Sequence, residues 1–457
     1  MAVHSRRVRT YRLVCENLES RITPSAKLIG PYSAQELLSL TEARADSYSL
    51  YSTVPESPKD AKPALTLSEF QPFKINFDSL RSHLADAPKE FETEQTKTLA
   101  IPRPDGTFQR FNVWEVAMME PELAAQFPDI KTWRGEGIDD PTATLSADLT
   151  PHGFHAQILS PQGRWYVDPY YHLDSSVYAS YFPKDLANPN GARSQDDLVL
   201  PPLSALDASR TTTDDQQTAG RASSGATLRI YRAAVAATGE YTAFFGGTKP
   251  LGQAAIVTAM NRVSGIYETE LAIRMVLVGN NVNIVYTSAA SDPYTNDDGF
   301  AMLDENQTNV DAMIGNANYD IGHVFSTGGG GVAGLGVVGQ SGFKAQGVTG
   351  SPSPTGDAFY VDYVAHEVGH QYGGNHTFNG VNGSAGGGNR YAPAAYEPGS
   401  GSTIMAYAGI CGADDLQSNS DAYFHAESLD EISDFVLTSG AGGNTQTPVP
   451  MPMQATR

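Results

Sequence analysis

His366-Glu367-Val368-Gly369-His370-Gln371-Tyr372-Gly373-Gly374-Asn375-His376 places three imidazoles and one carboxylate in a single short run. On a helix, His366 and His370 stand four apart and share a face, so both can grip one metal ion, with Glu367 beside them as a base. Gly373 can take a positive φ, stop the helix and turn the chain so that His376 returns as a third nitrogen. Three protein nitrogens plus one open position is the coordination of a catalytic zinc rather than a closed structural one. Two core histidines with a surface glutamate would need neither the glycine nor the third histidine, and an accidental match to all of them is rare. The flanking residues predict one long helix: Asp357 as N-cap, then Val361, Val364, Ala365, Val368 and Tyr372 at helical spacing up to Gly373-Gly374.

The run resembles the long zinc signature of the metzincin metallopeptidases, HExxHxxGxxH, at every defined position. Ser402-Thr403-Ile404-Met405-Ala406-Tyr407 resembles the Met-turn that in this clan lies beneath the metal, with Met405 as its methionine. Within the clan the chain looks most like bacterial reprolysin-like peptidases, over roughly Leu228 to Leu437. Thr377 follows the third histidine where reprolysins carry Asp and astacins Glu, and His376-Thr377-Phe378 is closer to pappalysin-like enzymes. The resemblance implies an α/β (α+β) catalytic domain with a mixed twisted sheet, a long zinc-binding helix and an irregular lower half. It further implies one catalytic Zn2+ on His366, His370 and His376, Glu367 as general base, and a polypeptide substrate cut by a zinc endopeptidase. Tyr407 matches a tyrosine that in astacins and serralysins coordinates zinc and swings away to stabilise the oxyanion; the alternative is a tyrosine packed near the Met-turn. An edge strand that pairs with extended substrate is expected at Val332-Ala333-Gly334-Leu335, where glycines let another backbone come close.

Other candidate ligands are weaker. His323 and His425 lack partners at ligand spacing. Asp292 to Gly299 offers oxygens of the kind calcium takes, without the EF-hand pattern, so calcium is a secondary expectation beside a plain turn.

The 457 residues carry a formal net charge of −21, and the excess is concentrated between Ala226 and Gly440. Such an acidic surface argues against nucleic acid as a partner. No stretch approaches the length of an apolar membrane span. Cys15 and Cys411 are the two cysteines, which excludes a disulfide network and a Cys-based zinc site.

The chain divides into a basic leader (1–26), a β-rich N-terminal unit (27–203), an exposed linker (204–226), the peptidase unit (227–438) and a disordered tail (439–457). The leader lacks the apolar core of an ordinary signal peptide. Its segment Arg12 to Ser25 nevertheless resembles a short N-terminal motif of many exported proteins, so an extracellular or cell-surface location is expected. The N-terminal unit, with strands at Arg110 to Trp114 and Gly163 to Val167, resembles a prodomain that packs on or covers the peptidase unit. It has no cysteine to cap zinc, so latency needs another ligand or steric cover, and processing is expected between Arg210 and Leu228.

In the peptidase unit, periodicity predicts strands at Thr227 to Ala236, Leu271 to Val278, Asn283 to Thr287 and Ile321 to Ser326. It predicts helices at Gln253 to Tyr267, Leu303 to Ile314 and Leu429 to Leu437, the last started by a Ser428/Glu431 capping box. The leading function is a zinc endopeptidase made as a zymogen. The alternative is a catalytically inactive zinc-containing protein that binds peptides or assembles at the cell surface; retention of Glu367 favours the enzyme.

Overall fold

Short segments of β-branched and aromatic residues between Gly/Pro turns make the N-terminal half a succession of strands. The computed structural model describes residues 50–53, 61–92, 97–187 and 227–438, with the backbone of 447–450. β1 (Tyr51–Ser52), β2 (Gln71–Ile75), β3 (Lys97–Pro102), β4 (Phe108–Glu115), β5 (Lys131–Gly137), β6 (Thr144–Thr150), β7 (Gly153–Leu159), β8 (Trp165–Tyr171) and β9 (Asp174–Tyr181) form one antiparallel sheet. Its order is β1-β2-β9-β8-β7-β6-β5-β4-β3, and Trp133, Trp165 and Phe111 are buried in its core. Helices α1 (Phe77–Leu84) and α2 (Pro121–Gln126) interrupt the strands.

The second half alternates strand and helix, which produces a mostly parallel sheet. β10 (Thr227–Ala237) leads into α3 (Gly239–Phe244) and α4 (Lys249–Leu271); β11 (Ile273–Leu277), α5 (Gly299–Met313), β12 (Ile321–Ser326), β13 (Gly330–Ala333) and β14 (Gly347–Gly350) follow. The strands lie in the order β11-β10-β12-β14-β13, parallel except for the antiparallel pair β13–β14, which makes β13 the last strand of that edge. Beyond β14 comes the helical run of the zinc motif, α6 (357–371), then a lower half of short turns, and finally α7 (Ala426–Thr438).

α6 is built in three pieces: an α turn at Asp357–Phe359, a π-helical stretch at Tyr360–Ala365 and an α-helical His366–Gln371. Every residue in it is buried, so it is a core helix rather than one with a solvent face. The π stretch leaves backbone groups out of α register, and the Tyr267 hydroxyl donates to the Ala365 carbonyl at 2.8 Å just ahead of His366.

α4 lies between the two sheets. Its apolar face joins β10, β11 and α6 in one hydrophobic cluster, to which Met119, Leu123 and Ile130 of the N-terminal half also belong. Its other face carries Thr258, Asn261, Arg262, Gly265 and Glu268, recurring at helical spacing toward the N-terminal sheet. Thr258 Oγ1 donates to Asp148 at 2.9 Å and Asn261 Nδ2 to the Ala147 carbonyl at 2.9 Å. The Met118 and Glu120 backbones bond Leu277 on the outer edge of β11, at 2.9 and 2.8 Å.

Several expectations need correction. Asn283 to Thr287 is not a strand: Asn281–Ile284 forms a 3-10 turn, and Val285 makes a lone bridge to Ala237. Asp357 is not an N-cap; Gly356 holds that position, and Asp357 pairs with Arg262 at 3.1 Å. α7 begins at Ala426, so Ser428 and Glu431 form no capping box; Glu431 instead accepts from the Asn375 backbone N–H at 2.7 Å. Within the tail read as disordered, Thr447–Pro450 forms β15 and pairs antiparallel with Thr227 to Ile230 of β10. The leader and the linker lie outside the described residues.

Candidate active site

The chain folds back at Gly373, whose φ of 91° is the left-handed value that a side chain would resist. Gly374 donates to the Gly369 carbonyl at 2.9 Å, closing α6, and the chain then delivers His376 opposite the helix. The loop after β13 covers the helix end from the other side: Gly336 and Val337 donate to the His370 and Gln371 carbonyls at 2.8 and 3.0 Å.

Each imidazole is oriented through its Nδ1. His366 Nδ1 lies 2.6 Å from the Ile404 carbonyl, His370 Nδ1 2.7 Å from that of Gly374, and His376 Nδ1 2.6 Å from that of Asn389. A carbonyl only accepts, so each Nδ1 carries the proton and each neutral ring turns an Nε2 lone pair inward. The three Nε2 atoms stand 3.0 to 3.2 Å apart. With no proton between them those lone pairs repel unless a cation sits at their focus. Zinc–nitrogen bonds of about 2.0–2.1 Å in tetrahedral geometry require nearly this spacing. His366, His370 and His376 could therefore hold a metal ion.

Glu367 is buried beside them, and β13 passes directly against it. A Cβ on Gly331 would come within 2.2 Å of Glu367 Oε1, so a side chain there would displace the carboxylate or the strand. Val332 and Ala333, the first half of the expected substrate edge, are in β13 and buried; Gly334 and Leu335 follow beyond its end. Met405 is fully buried under α6, where a Cβ on Gly369 would come 2.3 Å from its Sδ. The Tyr407 ring lies 4.7 Å from the His376 ring and 5.7 Å from that of His366, and stacks on Phe378 at 4.4 Å.

His323 is a satisfied core residue: Nδ1 bonds Gln371 at 2.9 Å, Nε2 bonds Thr349 at 2.8 Å, and burial lowers its pKa to about 4. His425 stacks on Tyr396 at 5.9 Å. In the Asp292 to Gly299 segment, Asp292 accepts from the Gly239 N–H at 2.6 Å and Asp298 caps α5 through the Ala301 N–H at 3.0 Å. Those oxygens do the work of a turn and a helix cap.

Residues 250–435 match the reprolysin-like metallopeptidase family M12B. Over that segment the chain resembles the reprolysin-like metallopeptidases. The match runs from the first turn of α4 into α7, so the reprolysin-like segment includes α6, the Met-turn and the whole histidine cluster. That match implies a zinc-dependent peptidase acting on a polypeptide substrate. The crystal structure of metalloproteinase-II from Bacteroides fragilis is similar over 81% of this chain and 97% of that one, at 10% identity and a TM-score of 0.44. No curated protein matches the sequence. No helix among the described residues is long and apolar enough to cross a membrane.

Sequence reasoning missed the supports of this reprolysin-like site. The carbonyls of Ile404, Gly374 and Asn389 leave no trace in side-chain identity. Gly331 and Gly369 could have been flagged only as unexplained glycines beside functional residues. Glu397, which joins the third-histidine segment to the Met-turn, lies 20 residues from Thr377 with no spacing to link them.

Proposed function

We propose that the protein is an exported zinc endopeptidase made as a zymogen, with the ion on His366, His370 and His376 and Glu367 as general base. The observation that carries this reading is the convergence of three Nε2 lone pairs beside a buried carboxylate. Zinc, when bound, supplies Lewis acidity, making water easier to deprotonate and polarising the scissile carbonyl. Glu367 takes the water proton and later passes it to the departing amine; its carboxylate is fixed by α6 on one side and the Gly331 backbone on the other. Tyr407, packed against His366 and His376, donates a hydrogen bond to the developing oxyanion. Met405 supports α6 from below. Val332 to Leu335 offers the sheet edge along which an extended peptide lies.

The N-terminal unit packs on the peptidase unit as a prodomain. Buried ion pairs support this: Arg262 with Asp168, and Arg134 with Glu268 at 2.7 Å. The burial of Glu367, Tyr407 and all three histidines suits a form still closed to substrate. N-terminal sequencing of the mature protein, starting between Arg210 and Leu228, checks the processing step, and its recovery outside the cell checks export.

The test of the chemistry is cleavage of a denatured protein by wild type and Glu367→Ala, with metal analysis of both. Zinc remains bound in each, chelator abolishes wild-type turnover, and the variant loses about 10²–10⁴-fold in rate. An active Glu367→Ala enzyme, or a wild type without zinc, would refute the assigned roles.

A further inference from the structure

Glu397 belongs to no motif, yet its carboxylate is buried at the junction of the two segments that shape the metal site. One oxygen, Oε1, accepts from Thr377 Oγ1 at 2.6 Å and from Thr403 Oγ1. The other, Oε2, accepts from the backbone N–H groups of Ser402 at 2.7 Å and Thr403 at 3.1 Å. Its backbone extends the same junction: Glu397 N donates to the Thr377 carbonyl and Asn379 N to the Glu397 carbonyl, both at 2.8 Å. Two hydroxyls and two backbone N–H groups, all neutral, donate to it and use the acceptor capacity of a carboxylate.

The two segments are those next to the ligands. Thr377 follows His376 directly and its N–H donates to the Met405 carbonyl at 3.1 Å. Thr403 precedes Ile404, whose carbonyl orients the His366 ring. A single carboxylate thus fixes the spacing between the segment that follows a ligand and the turn that orients another ligand and carries Met405. Resting on the zinc peptidase reading, we propose that Glu397 is a positioning residue for the metal centre, locking the Met-turn to the His376 segment.

The test uses the full-length chain as wild type, Glu397→Ala, Glu397→Gln and Thr403→Val. Zinc affinity is measured by competition with a chromophoric chelator, ligand geometry by the visible spectrum of the cobalt(II) form, and kcat and KM at saturating zinc. Loss of outer partners of metal ligands costs about 10–100-fold in affinity. Glu397→Ala is expected at the upper end of that range, with an altered cobalt spectrum and a fall in kcat rather than a rise in KM. Glu397→Gln keeps the shape and loses the charge, since the threonine hydroxyls can rotate to accept from the amide; it falls near tenfold, about the lower end, with the wild-type spectrum. Thr403→Val, which removes one donor and keeps the charge, also weakens zinc. Wild-type zinc affinity in Glu397→Ala overturns the proposal. If that variant does not fold, wild-type affinity in both Glu397→Gln and Thr403→Val overturns it equally. A wild type that binds zinc but cleaves nothing sinks the enzymatic reading while the affinity series still judges Glu397. A wild type that binds no zinc overturns both.

Discussion

Two buried polar clusters lie near α4, and they are built on opposite principles. Where α4 meets the N-terminal sheet, the first turn of α6 and β11, Arg262 pairs with Asp168 and Asp357, while Glu268 takes Arg134 and Arg274, each at 2.7 Å. The charges there are paired within the chain, Arg274 with Glu90 as well. Burial works against the Arg262 charge, but Asp168 and Asp357 outweigh it and raise its pKa well above the usual value. Burial likewise works against the Glu268 charge, and the two arginines overcome it to lower that carboxyl to about 2. Toward α6, three neutral rings point lone pairs at one another with no proton between them. A polar cluster whose charges are paired holds a fold together; one that converges three ring nitrogens on a single point has the shape of a metal site.

Breaking the balanced cluster should give the largest effect. Arg262→Ala strands Asp168 and Asp357 without their cation, at a cost of about 3–5 kcal/mol in unfolding free energy. Denaturant unfolding of the zinc-loaded protein measures it, and turnover of the remaining folded fraction should stay near wild type. A stability change below about 0.5 kcal/mol would show that the pair is no more than a surface bridge.

Gly331→Ala reverses the pattern. The new Cβ falls on Glu367 Oε1, so the carboxylate or β13 must move. A displacement on the order of 1 Å at the reacting group costs about 10²-fold in rate. Zinc content should be unchanged, because no ligand is touched. Wild-type kcat/KM in this variant would mean that β13 yields without disturbing the base.

The contrast also explains what the sequence could reveal. Metal chemistry imposes spacing, so His366, His370, Gly373 and His376 were legible, and the strand at Ile321–Ser326 followed from its flanking turns. Arg262 and Asp168 are 94 residues apart and carry no local pattern. Asp357 looked like an N-cap because that role is local, and a tertiary partner took it instead. A signal did exist on α4: Thr258, Asn261, Arg262 and Gly265 recur at helical spacing, the mark of a second buried face. The backbone carbonyls that orient the histidines could not be read, since side-chain identity does not encode them.

The mildest way to separate the clusters is pH. His152 bonds the Leu251 carbonyl of α4 at 2.9 Å and packs on Phe245. Burial lowers its pKa to about 4, with His155 and His172 adding repulsion and the Leu251 carbonyl and Asp148 opposing. The folded chain therefore keeps His152 neutral where the unfolded chain protonates it near 6.5. Between those values the unfolded state binds more protons, so stability falls as pH falls, by a contribution on the order of 3 kcal/mol. Glu268 acts lower: its stabilisation is complete above 4.5 and lost only as pH drops toward about 2. His323, also lowered to about 4, adds to the upper window. Unfolding curves of the chelator-treated protein isolate this from zinc loss. His152→Gln should flatten, without abolishing, the slope between pH 6.5 and 4 and leave the slope below 4 intact. An unchanged upper slope would mean that His152 already takes up its proton in the folded state, and that the contact with α4 tolerates the charge.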